Sequence, residues 1–99
     1  MVKLLLSWDI KPGYESEYFN FVYREFGPGL IKLGIQITEA WYTAFGAGPQ
    51  IVIGGVVETP EKLSSILDSD EWADLYSKLS GYITNYNHRV VRATGRFQL

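Results

Sequence analysis

The sequence contains no cysteine and a single histidine, His88. Without cysteine there is no disulfide, no thiolate nucleophile and no metal site built on thiolates. A lone histidine without a nearby carboxylate pair does not match the ligand patterns of known metal sites. We therefore expect no metal and no cofactor. The absence of cysteine also fits the reducing cytoplasm, where we expect the protein to be located.

Long apolar segments and an excess of one charge are missing as well. No stretch approaches the roughly 20 apolar residues that a membrane-spanning helix needs, and the N-terminal apolar run is too short for a signal peptide. The net charge is −2, and the nine basic residues are scattered along the chain. These features predict a soluble protein that binds neither membranes nor nucleic acids.

Aromatic residues, in contrast, are abundant: three Trp, seven Tyr and five Phe among 99 residues. A chain of this length is expected to form a single domain, here residues 1–99, with a small core. Large rings fill such a core efficiently, but they are also favoured at interfaces and in ligand clefts. Both uses remain open, and core packing is the more common one.

The first half of the chain shows two patterns. Alternating apolar residues predict a strand over residues 2–10, and apolar residues at spacings of three and four predict a helix over residues 14–33. A kink or break is expected at Gly27-Pro28-Gly29, and a C-terminal cap at Gly34. Two further strands, residues 35–45 and 50–58, are predicted to form a hairpin. The second of them is apolar on both sides, which is typical of a central strand.

The second half begins with a helix signal, in which Thr59 is the predicted N-cap and Pro60 the first helical residue. Asp68-Ser69-Asp70 is expected to end this helix and to cap a second helical segment. Asn85 and Asn87 suggest a loop after that segment. A last strand is predicted over residues 88–99.

The predicted order is therefore β-α-β-β-α-β. Right-handed crossovers place both helices on one face of a four-stranded antiparallel sheet, with strands one and three in the middle. This is an α+β, ferredoxin-like fold. The other sheet face has no cover within the chain, which predicts a homodimer that packs through this open face; a solvated monomer is the alternative. The expected open face contains Lys3, Leu5, Ser7, Asp9, Thr38, Ala40, Tyr42, Val52, Val56, Val90, Arg92 and Arg96.

Two segments carry a family resemblance over nearly the whole chain: PGYESEYFNFVYREFGPGL and SDEWADLYSKLSGYITNYNHRVVR. With them, the sequence resembles the dimeric α+β barrel superfamily, and within it the NIPSNAP-like proteins. Stress-responsive A/B-barrel domains and antibiotic-biosynthesis-type monooxygenases belong to the same superfamily. The resemblance implies that two sheets face each other to close a barrel. It also implies a small-molecule cleft between each sheet and its helices.

Six aromatic residues form the candidate ligand-binding constellation: Trp8, Tyr18, Trp41, Tyr42, Trp72 and Tyr76. Arg92 is a further candidate, because Arg92 and Arg96 lie four residues apart on one strand face and would be able to hold an anion. They would equally be able to pair with Asp9 or Glu39 across the barrel.

Glu39 and His88 are the candidate catalytic residues. Glu39 shares the predicted register of Trp41, so either a bulge shifts the register there or the carboxylate is functional. His88 is more simply interpreted as a solvated loop residue. Two functions follow: a dimer that binds a small apolar or aromatic molecule, or a cofactor-independent monooxygenase, isomerase or lyase acting on an aromatic substrate. The second requires titratable groups that converge on a closed pocket.

Overall fold

The structure is a computed structural model, and it describes residues 1–43 and 46–92. The four strands form one antiparallel sheet, and their order across the sheet is second, third, first and fourth strand of the chain. The ferredoxin-like prediction is thereby confirmed, with strands one and three in the middle. No helix within the described residues is long and apolar enough to cross a membrane. In chain order, the elements are β1 (Val2–Ile10), α1 (Glu15–Phe21), a π-helical turn (Val22–Phe26), α2 (Gly27–Leu33), β2 (Gln36–Tyr42), β3 (Ile51–Val57), α3 (Pro60–Leu67), α4 (Asp70–Ser80) and β4 (Ile83–Arg92).

The helical region from Glu15 to Leu33 is not broken at Pro28. Instead, a π-helical turn precedes the proline, and in it the Gly27 N–H donates to the carbonyl of Val22, five residues earlier. Proline cannot donate a hydrogen bond and its ring crowds the preceding turn, so a wider turn here accommodates it. Gly34 ends the region with φ of 103°, as predicted for a left-handed cap.

The second helical region follows the predicted cap signals. The Thr59 Oγ1 accepts from the Lys62 N–H at 3.1 Å, and the Ser69 Oγ accepts from the Trp72 N–H at 3.1 Å. Each hydroxyl satisfies an amide that has no partner inside its helix. The break that was predicted at Asp68-Ser69-Asp70 is confirmed, because α3 and α4 are separate helices.

β4 begins at Ile83, five residues before the predicted start, so the prediction of a loop at Asn85 and Asn87 is wrong. Asn85 has φ of 58°, and the register of β1 with β4 shifts next to it, between Ser7 and Asp9. Asparagine tolerates this left-handed conformation, so it allows a β-bulge without ending the strand. The predicted strand residues 93–99, and residues 44 and 45 of the predicted β2, lie outside the described residues.

A second bulge changes the faces of β2. Ile37 pairs with Gly55 but Glu39 pairs with Gly54, so Thr38 is the extra residue. A one-residue insertion moves every following side chain to the opposite face. Trp41 therefore lies on the open face, opposite Val52, whereas the predicted open-face residues Ala40 and Tyr42 lie on the helix-covered face.

The faces of β4 also differ from the prediction. Val90 and Arg92 pair with Leu4 and Val2, whose side chains are buried beneath the helices, so both belong to the helix side. The neighbouring Val91 pairs with Lys3 and belongs to the open face. By register, the open face consists of Lys3, Leu5, Ser7, Asp9, Gln36, Glu39, Trp41, Val52, Gly54, Val56, Thr84, Asn87, Arg89 and Val91.

Gly55 on the helix side of β3 provides a test of this packing. A Cβ there would lie 2.5 Å from the Ile35 Cγ2 and 3.2 Å from the Gln36 carbonyl oxygen. We expect Gly55→Ala to lower the free energy of unfolding by about 1–3 kcal/mol, measured by urea denaturation. Gly81→Ala is the control, because φ there is −70° and the nearest atom to a new Cβ is 3.4 Å away. Equal stabilities of the two variants would contradict the packing at Gly55.

Candidate functional site

A connected group of rings fills the space between the sheet and the helices. Trp8, on central strand β1, is completely buried. It meets the edges of Tyr18 and Phe26, with centroids 6.5 and 5.7 Å away, and stacks on Tyr86 at 6.1 Å and 13°. These side chains come from β1, α1, the π-helical turn and β4. With Trp72 and Tyr76 from α4, we call them the aromatic cluster: Trp8, Tyr18, Phe26, Trp72, Tyr76 and Tyr86.

Two polar atoms at the centre of the cluster are bonded to each other. The Trp8 Nε1–H donates to the Tyr18 hydroxyl at 2.9 Å in a buried hydrogen bond. Burial raises the pKa of Tyr18 to about 12, and the hydrogen bond from Trp8 only partly opposes this shift. Burial raises the pKa of Tyr86 to about 12 as well. Both phenols are therefore neutral at physiological pH, which is unlike the low-pKa phenol of a catalytic base.

His88 lies at the solvent-exposed end of this cluster. The Tyr86 hydroxyl is 3.2 Å from the His88 Nδ1, and the two rings meet at 65°. His88 lies in β4, so its interpretation as a loop residue is wrong, but its side chain is exposed as expected. The hydrogen-bond neighbour of the imidazole is a phenol, and no ion pair within the described residues joins His88 to a carboxylate.

A separate apolar groove lies between α1 and the ends of β2 and β3. Phe19 contacts Tyr18 edge to face at 5.0 Å and Tyr42 at 5.8 Å, and Phe19 and Tyr42 are 44% and 56% exposed. Two partly exposed rings at the mouth of a concave surface are typical of a ligand site. We call this the Phe19–Tyr42 groove. Its volume is ≈ 180 Å³, and it is lined by Tyr18, Phe19, Val22, Ala40, Trp41, Tyr42, Ile51 and Ile53.

Glu39 forms an ion pair on the open face of the sheet. Its carboxylate extends from β2 across β3 to the Lys3 ammonium of β1. A Cβ at Gly54 would lie 2.6 Å from the Glu39 Oε1, so the carboxylate depends on glycine at that position. The hydrogen bond from Lys3 lowers the pKa of Glu39 below its ordinary value. This supports the bulge interpretation of Glu39 and argues against a role as a base.

Asp9 joins three parts of the sheet. Its Oδ1 accepts from the Gln50 N–H at 3.0 Å, and its Oδ2 accepts from the Asn85 Nδ2 at 2.9 Å. The Gln50 side chain in turn accepts from the Ile10 N–H at 2.7 Å. The Asn85 bond, followed by the Gln50 bond, lowers the pKa of Asp9. Asp9 therefore fastens the β2–β3 hairpin and the β4 bulge to β1.

The structure brings together four of the six predicted aromatic residues in the aromatic cluster. A fifth, Tyr42, lies in the groove, and Phe19 connects it to Tyr18. Trp41 also borders the groove, but its pairing places it on the open face. The predicted catalytic pair does not converge, since Glu39 and His88 lie on opposite faces of the sheet.

Sequence reasoning missed Phe19 and Tyr86 as site residues. Phe19 is adjacent to the apolar stripe of its helix, so the helical spacing gave no signal for it. Tyr86 lies between Asn85 and Asn87, and these two asparagines predict a loop. The β-branched and aromatic residues from Ile83 to Val91 were the available signal for an earlier strand. In residues 1–43 and 46–92, no three His, Asp or Glu side chains converge as metal ligands would.

No protein-family model and no curated protein matches the sequence, but many solved structures share its fold. An uncharacterised NIPSNAP domain protein from Burkholderia xenovorans is 14% identical, with 99% of this chain and 100% of that chain covered and a TM-score of 0.71. A hypothetical protein from Arabidopsis thaliana is 12% identical, with 99% and 91% covered and a TM-score of 0.76. A candidate antibiotic biosynthesis monooxygenase from Nitrosomonas europaea is 6% identical, with 95% and 99% covered and a TM-score of 0.70.

The chain belongs to the class of α+β folds in which helices cover one face of a four-stranded sheet. Within that class, the chain has the fold of NIPSNAP domain and antibiotic-biosynthesis-monooxygenase-like proteins. The resemblance noted in the sequence is confirmed at the level of fold. Identities this low carry no activity from those proteins to this one.

The Trp8–Tyr18 hydrogen bond generates a prediction. Tyr18→Phe leaves the buried Trp8 N–H without a partner, so we expect the free energy of unfolding at neutral pH to fall by about 1–3 kcal/mol. Urea denaturation measures the loss. Tyr23→Phe is the control because Tyr23 is 83% exposed and should show no change. Equal stability of Tyr18→Phe and the wild type would show that the hydrogen bond contributes nothing.

The same residue predicts a pH dependence. The pKa of Tyr18 is about 12 in the folded chain, above the unfolded value of about 10. Its contribution to stability is therefore fully present below about pH 10 and is lost as the pH rises toward 12. In Tyr18→Phe, the decrease in stability over this range should be smaller than in the wild type. Urea denaturation at several pH values measures this difference, and absorbance of the phenolate during titration shows how many tyrosines ionise late.

Proposed function

We propose that the protein binds a small, uncharged aromatic or apolar molecule in the Phe19–Tyr42 groove. The observation that carries this proposal is the open, edge-to-face pair of Phe19 and Tyr42 above an apolar floor of Ile51 and Ile53. An apolar cavity of about 150 Å³ is enough to hold benzene. The groove, at ≈ 180 Å³, therefore suits a molecule with one ring.

The chemistry of the groove supports a neutral ligand. None of the described residues that line it is charged, and its only phenols belong to Tyr18 and Tyr42. The Tyr18 hydroxyl already accepts the Trp8 hydrogen bond. An ionic ligand would lose its hydration here without gaining a counter-charge, which is unfavourable.

We favour a ligand-binding function over the alternative function, which is that of a cofactor-independent monooxygenase, isomerase or lyase. That alternative needs a general base or acid within hydrogen-bond reach of the substrate. Glu39 is held by Lys3 on the open face, and His88 lies outside the groove on β4. Neither candidate base lines the groove, so the contacts of the described residues support a binding role.

We further infer that the chain forms a homodimer through its open sheet face. The described structure measures 38 × 32 × 19 Å. Its shortest dimension accommodates one sheet and one layer of helices, so the second face of the sheet is left uncovered. A face of this extent is able to supply the roughly 800 Å² per partner of a stable interface. Trp41, which is 63% exposed, and the valines of the open face supply apolar contact area. The charges of Lys3 and Glu39 compensate each other within one chain, so neither needs a partner across the interface.

The groove is tested with benzyl alcohol as the probe. We expect it to perturb the backbone amide signals of the lining residues in two-dimensional NMR spectra of the wild-type protein. Phe19→Ala should weaken binding by about tenfold, because it removes one aromatic wall. Tyr23→Ala, which removes an exposed ring from the adjoining π-helical turn, should bind as the wild type does. Perturbations confined to other surfaces would contradict the proposed site.

The dimer is tested by sedimentation equilibrium at micromolar concentration. The wild type should sediment as two chains, and Trp41→Glu as one chain, since it places an unpaired charge in the interface. Ile31→Glu is a matched control, because Ile31 on α2 is also 63% exposed but lies on the helical side. A wild type that sediments as one chain would refute the homodimer.

A further inference from the structure

The open face of the sheet contains a second concave surface, separate from the Phe19–Tyr42 groove. Its volume is ≈ 330 Å³. Leu5 and Val52 form an apolar part, and Pro49, just before β3, borders it. Ser7, Asn87 and Arg89 bring polar groups to the same cavity. The register explains this convergence, because Ser7 pairs with Asn87, and Leu5 with Arg89, on adjacent strands.

The polar groups of this cavity are predominantly hydrogen-bond donors. The Arg89 guanidinium offers five N–H groups and accepts nothing, and the Asn87 amide and the Ser7 hydroxyl add further donors. No carboxylate is among the residues that the structure places around the cavity. A surface of this kind is complementary to an anion with two acceptor oxygens, which arginine binds in a bidentate manner.

Arg89 has no counter-ion in its own sheet. Within the described strands, Asp9 and Glu39 are the only acidic residues. Asp9 is held by Gln50 and Asn85, and Glu39 is paired with Lys3. In the described part of the chain, no ion pair or side-chain hydrogen bond involves Arg89.

We propose that this cavity binds a small organic acid, with its carboxylate on Arg89, Asn87 and Ser7 and its apolar part on Leu5 and Val52. The apolar floor distinguishes such an acid from an inorganic anion, which would gain nothing from it. The enclosure of the site rests on the proposed dimer. Between two sheets, an unpaired guanidinium would be strongly unfavourable, and a bound carboxylate would compensate its charge.

A carboxylate of the second copy is the competing counter-ion. The two acidic residues of the described strands are already engaged within their own protomer, and breaking either contact would leave Lys3 or the Asn85 amide without its acceptor. A free organic acid would bind Arg89 without breaking either of these contacts. For this reason we assign the cavity to a ligand and not to an inter-subunit ion pair.

The experiment is isothermal titration calorimetry of the wild-type protein with hexanoate. 1-Hexanol, which has the same apolar chain without the charge, and sodium chloride are the comparison titrants. We expect hexanoate to bind at least about tenfold more tightly than 1-hexanol, and Arg89→Gln to remove this difference. Arg24→Gln is the control, because Arg24 lies on the helical region, where it donates to Asn20. In NMR spectra, hexanoate should shift the Arg89 Nε–H and Asn87 side-chain amide signals.

Three outcomes would overturn the proposal. These are equal binding of hexanoate and 1-hexanol, competition by chloride at the same concentration, and unchanged hexanoate affinity in Arg89→Gln. If Arg89→Gln does not fold, Asn87→Ala replaces it, with a weaker but still selective loss of hexanoate binding expected. If Arg89→Gln dissociates the dimer and the wild type does not bind hexanoate, Arg89 pairs with the second copy and the proposal fails.

The outcomes also separate this proposal from the proposed functions. Shifts confined to the Phe19–Tyr42 groove would support that groove and contradict the acid site. Hexanoate binding that depends on Arg89 in a protein that sediments as one chain would support the acid site while refuting the dimer.

Discussion

The burial of Trp8 is the constraint on which the rest of the structure depends. An indole in the middle of the sheet excludes water but also carries an N–H that must find an acceptor. Tyr18 supplies this acceptor from α1 at 2.9 Å. Phe26 and Tyr86 pack on the same ring, so the helical layer, the π-helical turn and the edge strand β4 all meet at one residue. The position of α1 over the sheet, and with it the groove at Phe19, follows from this contact.

The two β-bulges determine which side chains each face of the sheet presents. The extra residue Thr38 moves Glu39 and Trp41 to the open face and Tyr42 to the groove. The bulge at Asn85 brings Tyr86 onto Trp8 and directs Asn87 and Arg89 to the open face. The helix side is consequently apolar and neutral at its groove, whereas the open face combines apolar residues with placed charges.

This division gives the two faces different surface chemistry, and the proposed functions differ accordingly. In the proposals above, the helix side binds an uncharged ring, and the open face pairs with a second copy and binds an acid whose carboxylate compensates the charge of Arg89. The solved structures that share this fold are similar to this chain in architecture, and one fold supports many unrelated functions. The proposals therefore rest on side chains of this chain: Phe19 and Tyr42 for the groove, Trp41 for the interface and Arg89 for the acid site.

The sequence by itself determined the order of elements, the buried side of β1, the caps at Thr59, Ser69 and Gly34, and the central position of β3. These features depend on hydrophobic periodicity and on local backbone chemistry, and both are set by residues that are close together in the sequence. The tertiary structure alone decided the faces of Glu39, Tyr42, Val90 and Arg92 and the meeting of Trp8 with Tyr86. A bulge of one residue reverses a strand's faces, and its position is set by pairing with a distant strand, so no local pattern contains it.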